Sequence, residues 1–264
     1  MDPLVEAAFI SGAATLIGVG GTVAVAIVGF RTSRATNEAT IAAAHADVRH
    51  TLDVARQEQL ADRYLRAIDQ LGSDIVEVRT GAIYALERVA QDRGGEDQTV
   101  MEVLATFVRE RSREPWPKPG TAIPGQELPF PRPDVQAALT VIGRRNMMRE
   151  DKSVDLTAAV LPGALLFGAD LTRVRLVDAD LRGIVAHSGA KFRDADLRNA
   201  DLTLANLAGA DLTGADLTGA NVAHTILTGA ILTGARWPEN VPAPTGWIRD
   251  SSSAKLQGTN SDEP

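Results

Sequence analysis

From Val154 to Trp237 the chain repeats every five residues, and that short period rules out most folds before composition is considered. Stepping by five from Leu202 reaches Phe192, Leu197, Leu207, Leu212, Leu217, Val222, Leu227, Leu232 and Trp237, all of them apolar. Two residues before these centres stand Ala190, Ala195, Ala200, Ala205, Ala210, Ala215, Ala220, Thr225, Ala230 and Ala235, all of them small. An earlier block has centres Leu156, Leu161, Leu166, Leu171, Leu176 and Leu181, with Val154, Ala159, Ala164, Ala169, Val174 and Ala179 in the small slot. Leu181 and Phe192 are eleven positions apart rather than ten, so the stretch GIVAHSG holds one extra residue. Five matches neither the helical period of 3.6 nor the strand period of 2. It fits a coil in which each pentad forms one short side and then turns a corner, Gly supplying backbone freedom at corners such as Gly163, Gly209 and Gly214. Leu then stacks on Leu and Ala on Ala between coils about 4.8 Å apart.

The A-(D/N)-L-x-x wording, as in ADLTG at 210–214 and 215–219, resembles the pentapeptide-repeat family. The resemblance implies a right-handed quadrilateral β-helix with four pentads per coil, over residues 154–237. Thr225 in the Ala slot and the extra residue near Ala186–His187 depart from the pattern, the latter read as a bulge or register shift. Seventeen pentads make about four coils and a rod about 20 Å long. The expected fold is therefore a β solenoid preceded by an α-helical region and a single N-terminal transmembrane helix.

That last element rests on Ala7–Phe30, a run of 24 residues without a charge. As a helix it is about 36 Å long, enough to cross a bilayer. A cleaved signal peptide ending near Ala24-Val25-Ala26 and a buried helix are the alternatives. The preceding segment carries Asp2 and Glu6 but no Lys or Arg, which disfavours the signal peptide. Residues 4–30 are thus expected to span the cell membrane once. Arg31, Arg34, Arg49 and Arg56 follow the span and place the N-terminus outside and the body in the cytoplasm. Ala14, Gly18, Thr22 and Ala26, four apart, would let two such helices approach closely. The GVGG at 18–21 lacks a preceding strand and is no phosphate loop.

Residues 31–71 read as a stalk helix, with Ile41, Val48 and Ala55 at steps of seven and Leu60, Tyr64, Ile68 and Leu71 at helical spacing. Its Ala-rich seam suits only a weak coiled coil. Residues 72–150 read as a helical adaptor that caps the raw apolar end of the solenoid. In it, Asp74 caps a helix facing inward through Ile75, Val78, Ala82, Leu86 and Val89, in wording that resembles a HEAT-type helix. A third helix, 97–111, buries Val100, Leu104, Phe107 and Val108; a fourth starts at Asp134 and buries Val135, Leu139 and Ile142. The proline-dense segment 115–133 between them reads as an extended linker or a polyproline ligand. Val160, Leu165 and Phe167 are the expected contacts of the cap. In the C-terminal cap and tail, 238–264, Trp247 and Ile248 are expected to close the far end or to cover Ile226 and Ile231; left uncovered, those isoleucines mark a docking or dimer surface.

Catalytic chemistry finds little to work with. The chain has no Cys, and its four histidines, His45, His50, His187 and His224, fall on a stalk, a bulge and a corner without metal-ligand spacing. Asp170, Asp180, Asp196, Asp201, Asp211 and Asp216 share one outward slot and read as solvated or turn-bonding groups. No catalytic, cofactor-binding or metal-binding residue is assigned, and no enzyme activity or cofactor is expected. The resemblance offers one specific alternative, an acidic rod that mimics DNA and binds DNA gyrase, giving quinolone resistance. Nine Asp against seven Lys plus Arg over 154–237 leave a net of −2, too balanced for a phosphate mimic. A chain charge of −7 disfavours direct binding of nucleic acid. The favoured expectation is a membrane-tethered, non-enzymatic scaffold that presents a rigid rod to a protein partner, the chain itself dimerising through the transmembrane helix or the C-terminal end.

Overall fold

The computed structural model describes residues 20–92, 98–115, 130–144 and 153–259. The chain divides into two units, 1–59 and 60–264. In the first, the described residues form the greater part of helix α1, Gly20–Leu71. Every side chain from Thr40 to Gln59 is exposed, the seam residues Ile41, Val48 and Ala55 included. Helix α1 runs through the expected boundary between a span at 4–30 and a stalk at 31–71 without a break. Among the described residues no helix is long and apolar enough to cross a membrane. Residues 4–19 of the expected span, and the side chains of Thr22 and Ala26, lie outside the described set.

The second unit begins with the last turns of α1, where Tyr64, Ala67, Ile68 and Leu71 pack inward. Helices α2 (Val76–Asp92), α3 (Gln98–Arg111) and α4 (Pro133–Gly143) follow. The inward faces of α3 and α4 are as the periodicity predicts; in α2 Ala82, Leu86 and Val89 are buried as expected, joined by Arg79 and Ile83, while Val78 is half-buried and Ile75, just before the helix, is exposed. The Ser73 hydroxyl accepts from the Ile75 amide at 3.2 Å in the turn that leads into α2, and no side-chain bond from Asp74 caps its first turn among the described residues. The fourth helix starts at Pro133, suited to a first turn that needs no amide donor, and Asp134 is fully buried within that turn. There Asp134 meets the Arg79 guanidinium at 2.6 Å, takes a bond from its neighbour Arg132, and accepts the Val135 amide at 3.0 Å. Arg132 in turn pairs with Glu114. Charges this deep are tolerable only when paired and hydrogen-bonded, so the network holds α2, α4 and the end of α3 in one arrangement.

Residues 153–237 wind into a four-sided solenoid. Parallel bridges join Asp155 to Arg175, Val160 to Asp180 and Leu165 to Val185, each 20 residues on, or four pentads per coil. The four pairs that straddle the irregular stretch, from Asp170–Lys191 to Val185–Asn206, are 21 apart, and from Lys191–Asp211 the step is 20 again. The extra residue therefore lies after Ala186, at a corner where Ser188 (φ 61°) and Gly189 (φ 86°) are both left-handed. On that side the inward slots are exchanged: Ile184 fills the small slot and Ala186 the large one, both fully buried. Elsewhere the Leu and Ala slots are buried except at Thr225 and Leu227, which are half-buried, and each buried Leu contributes about 1.5–3 kcal/mol. Corners are left-handed whichever residue occupies them; Ala158, Arg173, Asp178, Asp194, Asn199, Leu204 and His224 share the conformation with the glycines. Glycine also makes room where the corner below reaches up: a Cβ on Gly214 or Gly219 would meet the side-chain oxygen of Asp194 or Asn199 and force it aside.

A first coil leaves unpaired backbone groups as well as apolar surface, and the helices meet both needs. Arg109 donates to the Asp155 carbonyl, and the Ser112 hydroxyl accepts from the Val160 amide at 3.0 Å. The Gln136 side-chain amide bonds Leu165 in both directions, at 2.8 and 2.9 Å, and the Gly143 carbonyl accepts from the Asp170 amide at 2.8 Å. Each of the four sides receives a stand-in for the coil that is not there. Gly143 sits so close to Ala169 that a Cβ would lie 2.7 Å from that residue's own. The cap half-buries Val160 but leaves the Leu165 and Phe167 side chains exposed, contrary to the sequence expectation. At the far end an antiparallel hairpin, β1 (Trp247–Arg249) with β2 (Leu256–Gly258), buries Leu256 and pairs it with Gly234 and Ala235. Trp247 packs against the core there, whereas Ile226 and Ile231 stay exposed; the tail closes the end without covering them. Replacing Asp134 by Ala strands the buried Arg79 charge and is expected to cost about 3–5 kcal/mol, read by urea denaturation of the helical signal.

Candidate interaction surface of the solenoid

The outward residue at the middle of each side stacks with its equivalents in the coils above and below. Side one carries Asp155, Arg175, Asp196, Asp216 and Arg236; side two Val160, Asp180, Asp201 and Asn221. Side three carries Leu165, Val185, Asn206 and Ile226; side four Asp170, Lys191, Asp211 and Ile231.

The carboxylates of sides one, two and four are occupied twice over. Each accepts the amide two residues on, closing the corner as an Asx turn: Asp170 to Thr172, Asp201 to Thr203, Asp211 to Thr213 and Asp216 to Thr218, at 3.0–3.1 Å. Most also face a cation. Arg182 grips Asp180 through two bonds of 2.8 and 2.6 Å, and Arg198 grips Asp196 through two of 2.7 Å. Lys191 reaches Asp170 at 3.3 Å, Arg193 reaches Asp211 at 3.2 Å and Arg236 reaches Asp216 at 3.6 Å. The Arg198 hydrogen bond holds the Asp196 carboxyl below its ordinary value of 3.8, against the opposing effect of partial burial. At Asp170 burial pushes upward, but the Thr172 bonds and Lys191 outweigh it and the carboxyl is again lowered.

Side three is different in kind. Among the described residues it is the one column with no charge, and Leu165 and Ile226 are 42% and 48% exposed. Phe167 and Leu204, at the corners on either edge, are 52% and 53% exposed. His187 packs edge-on against Phe167 from the next coil, with ring centroids 4.9 Å apart. His45 and His50 lie on the exposed part of α1 and His224 at a corner, so the four histidines do not converge. Among the described residues no group of three or more His, Cys, Asp or Glu is placed to hold a metal. The proline-dense segment is described only at its ends, 116–129 lying outside the described residues.

Residues 152–185 and 188–222 match the pentapeptide repeats family in eight copies; Ala186 and His187, just before the irregular corner, and residues 223–237 of the solenoid lie outside the match. Among solved structures, a pentapeptide repeat protein (Rfr23) from the cyanobacterium Cyanothece 51142 is 35% identical over 39% of this chain and 72% of its own, with a TM-score of 0.19. Another, alr5209 from Nostoc Pcc 7120, is 36% identical over 34% of this chain and 78% of its own, with a TM-score of 0.20. A trypsin-treated form of QnrB1, a plasmid-mediated fluoroquinolone resistance protein, is 26% identical over 32% of this chain, with a TM-score of 0.31. That match spans 41% of the QnrB1 structure's length. No curated protein matches the chain. The chain belongs to the pentapeptide-repeat family, a class defined by its repeats and its four-sided coil. The family match stops short of α2–α4, so the HEAT-type likeness of 72–150 gains no support.

Because Asp196 has its acid strength raised by folding, the stability it contributes is present above pH 3.8 and lost as pH falls through its lower folded value. Asp170, Asp155 and Glu114 are lowered too and act in the same direction. Melting temperature is therefore expected to fall as pH drops below 3.8. Asp196→Asn should flatten part of that fall, which thermal melts at a series of pH values would show.

Proposed function

We propose that the protein is a non-enzymatic scaffold that presents its solenoid to a protein partner, tethered to the cell membrane by the apolar run Ala7–Phe30 with the body in the cytoplasm. The observation that carries the scaffold reading is the contrast between three sides whose charges are spent on one another and one exposed apolar side. Groups engaged in Asx turns and ion pairs have no spare role as acids or bases, whereas exposed apolar surface is the usual mark of a contact. The tether is supported by the length and charge-free composition of the run and by the arginines that follow it. Self-association through α1 is supported by the exposed seam of Ile41, Val48 and Ala55.

A DNA mimic that engages gyrase is the second reading. It needs carboxylates that present an unbroken negative track, and the ion pairs along sides one, two and four count against it. The two readings part in a gyrase supercoiling assay with the full-length chain. Supercoiling unchanged at a stoichiometric excess is the expected result, and inhibition would put the mimic in place of the scaffold. Membrane fractionation with alkaline extraction tests the tether separately: the chain is expected in the extracted membrane pellet, and recovery in the supernatant removes the tether while leaving the scaffold.

A further inference from the structure

We infer that side three is the docking strip and that its occupant is an amphipathic helix of the partner protein, an inference that rests on the scaffold reading above. Leu204 points to this side first. In its corner column the equivalent residues are Gly163, Gly183 and His224, and only for the two glycines is a left-handed backbone free of strain. Leu204 holds the same conformation at φ 63°, a costly choice for a bulky side chain, and is exposed. The coil ladder holds that conformation, the Leu204 amide donating to the Ala223 carbonyl at 3.0 Å, but it leaves the side chain exposed, where a partner would bury it.

Spacing selects the occupant. Leu165, Val185, Asn206 and Ile226 climb the strip in steps of about 4.8 Å. A helix repeats its apolar face every turn, about 5.4 Å, and stays nearly in step over four coils. An extended strand repeats its face every two residues, about 6.6 Å, and slips by a whole coil within three steps. Size excludes a second rod: the strip is about 14 Å tall and about 10 Å wide, from the strand spacing and rise. That is far below the roughly 800 Å² per partner of a stable dimer, but it matches a helix about 10 Å across in a transient contact. Phe167 and Leu204 on the two edges would flank such a helix, and Asn206 would face a polar residue within its apolar stripe.

The test is site-specific photo-crosslinking of the full-length chain in its native cells, with p-benzoylphenylalanine placed singly at Phe167, Ile226, Arg175, Asn221 or Ile231. Adducts are digested and the joined segment sequenced. The expected result is one partner segment captured from both Phe167 and Ile226, with apolar residues three or four apart. Leu204→Asp should lower the Ile226 adduct at least about tenfold with the melting temperature unchanged, as for a hot-spot contact. A joined segment with strictly alternating apolar residues overturns the helix, and adducts to lipid or to a second copy of this chain overturn the partner class. Adducts confined to Arg175, Asn221 or Ile231 overturn the choice of side and leave the scaffold standing. Adducts at none of the five positions overturn both.

Discussion

The backbone ladder between coils is the constraint on which the rest of the molecule depends. Each side contributes only one bridge, so a side is held by its neighbours above and below rather than by its own length. An amide such as Leu156 donates to Arg175 one coil up while Arg175 donates back to Val154, and this exchange recurs down every side. Such a ladder has no natural end. Buried amides and carbonyls left open at the first coil would each cost about 1–3 kcal/mol, and the apolar stack would face water. The helical region answers with one polar contact per side, drawn from α3, the turn after it, α4 and the residue at its end. The buried ion network between Arg79, Asp134, Arg132 and Glu114 then fixes the helices that carry those contacts.

The solenoid was legible in the sequence because a five-residue period specifies both inward slots at once, and two agreeing slots leave little freedom. What escaped were departures that keep the volume but move it. At Ile184-Val185-Ala186 the large and small residues trade places, so a search for Leu at the centre and Ala two before it finds a gap, although both slots are filled and buried. The corners were misjudged in a related way: glycine marks some of them, but the left-handed turn is imposed by the ladder and taken by Arg173 and Leu204 alike. Long-range polar contacts left no local trace. Gln136 reads as a surface residue of an amphipathic helix until Leu165 is set beside it, and Arg79 reads as part of a charged face until Asp134, 55 residues on, closes over it. The uncharged column of side three was within reach of the sequence, since it needs only the register below the irregular pentad.

Charge in a repeat of this kind is easily overread. Aspartate at the outward slot suggests an acidic rod, yet each such carboxylate closes its own corner, and the same bond is made by Asn206 and Asn221 without any charge. The slot therefore asks for a short acceptor, not for an anion. Arginine two residues further on, as at Arg182 and Arg198, then folds back onto the carboxylate it follows. Negative charge is a by-product of the turn, neutralised locally, and the informative position is the one that dispenses with the acceptor. Leu165, Val185 and Ile226 do so on one side, and their corners close without that bond.

The extra residue at Ser188–Gly189 shows why that side can remain continuous. An insertion within a side would shift every later residue by one and send the Leu slot outward, because inward and outward alternate along an extended segment. Placed at a corner, the additional residue is absorbed by two successive left-handed conformations and the next side resumes in phase, with Ala190 and Phe192 both buried. The ladder registers the event only as a step of 21 in place of 20, and the four columns run straight across it. Leu165 and Val185 below the insertion are thus aligned with Asn206 and Ile226 above it. The interruption that breaks the repeat in the sequence leaves the apolar strip of side three unbroken in the structure.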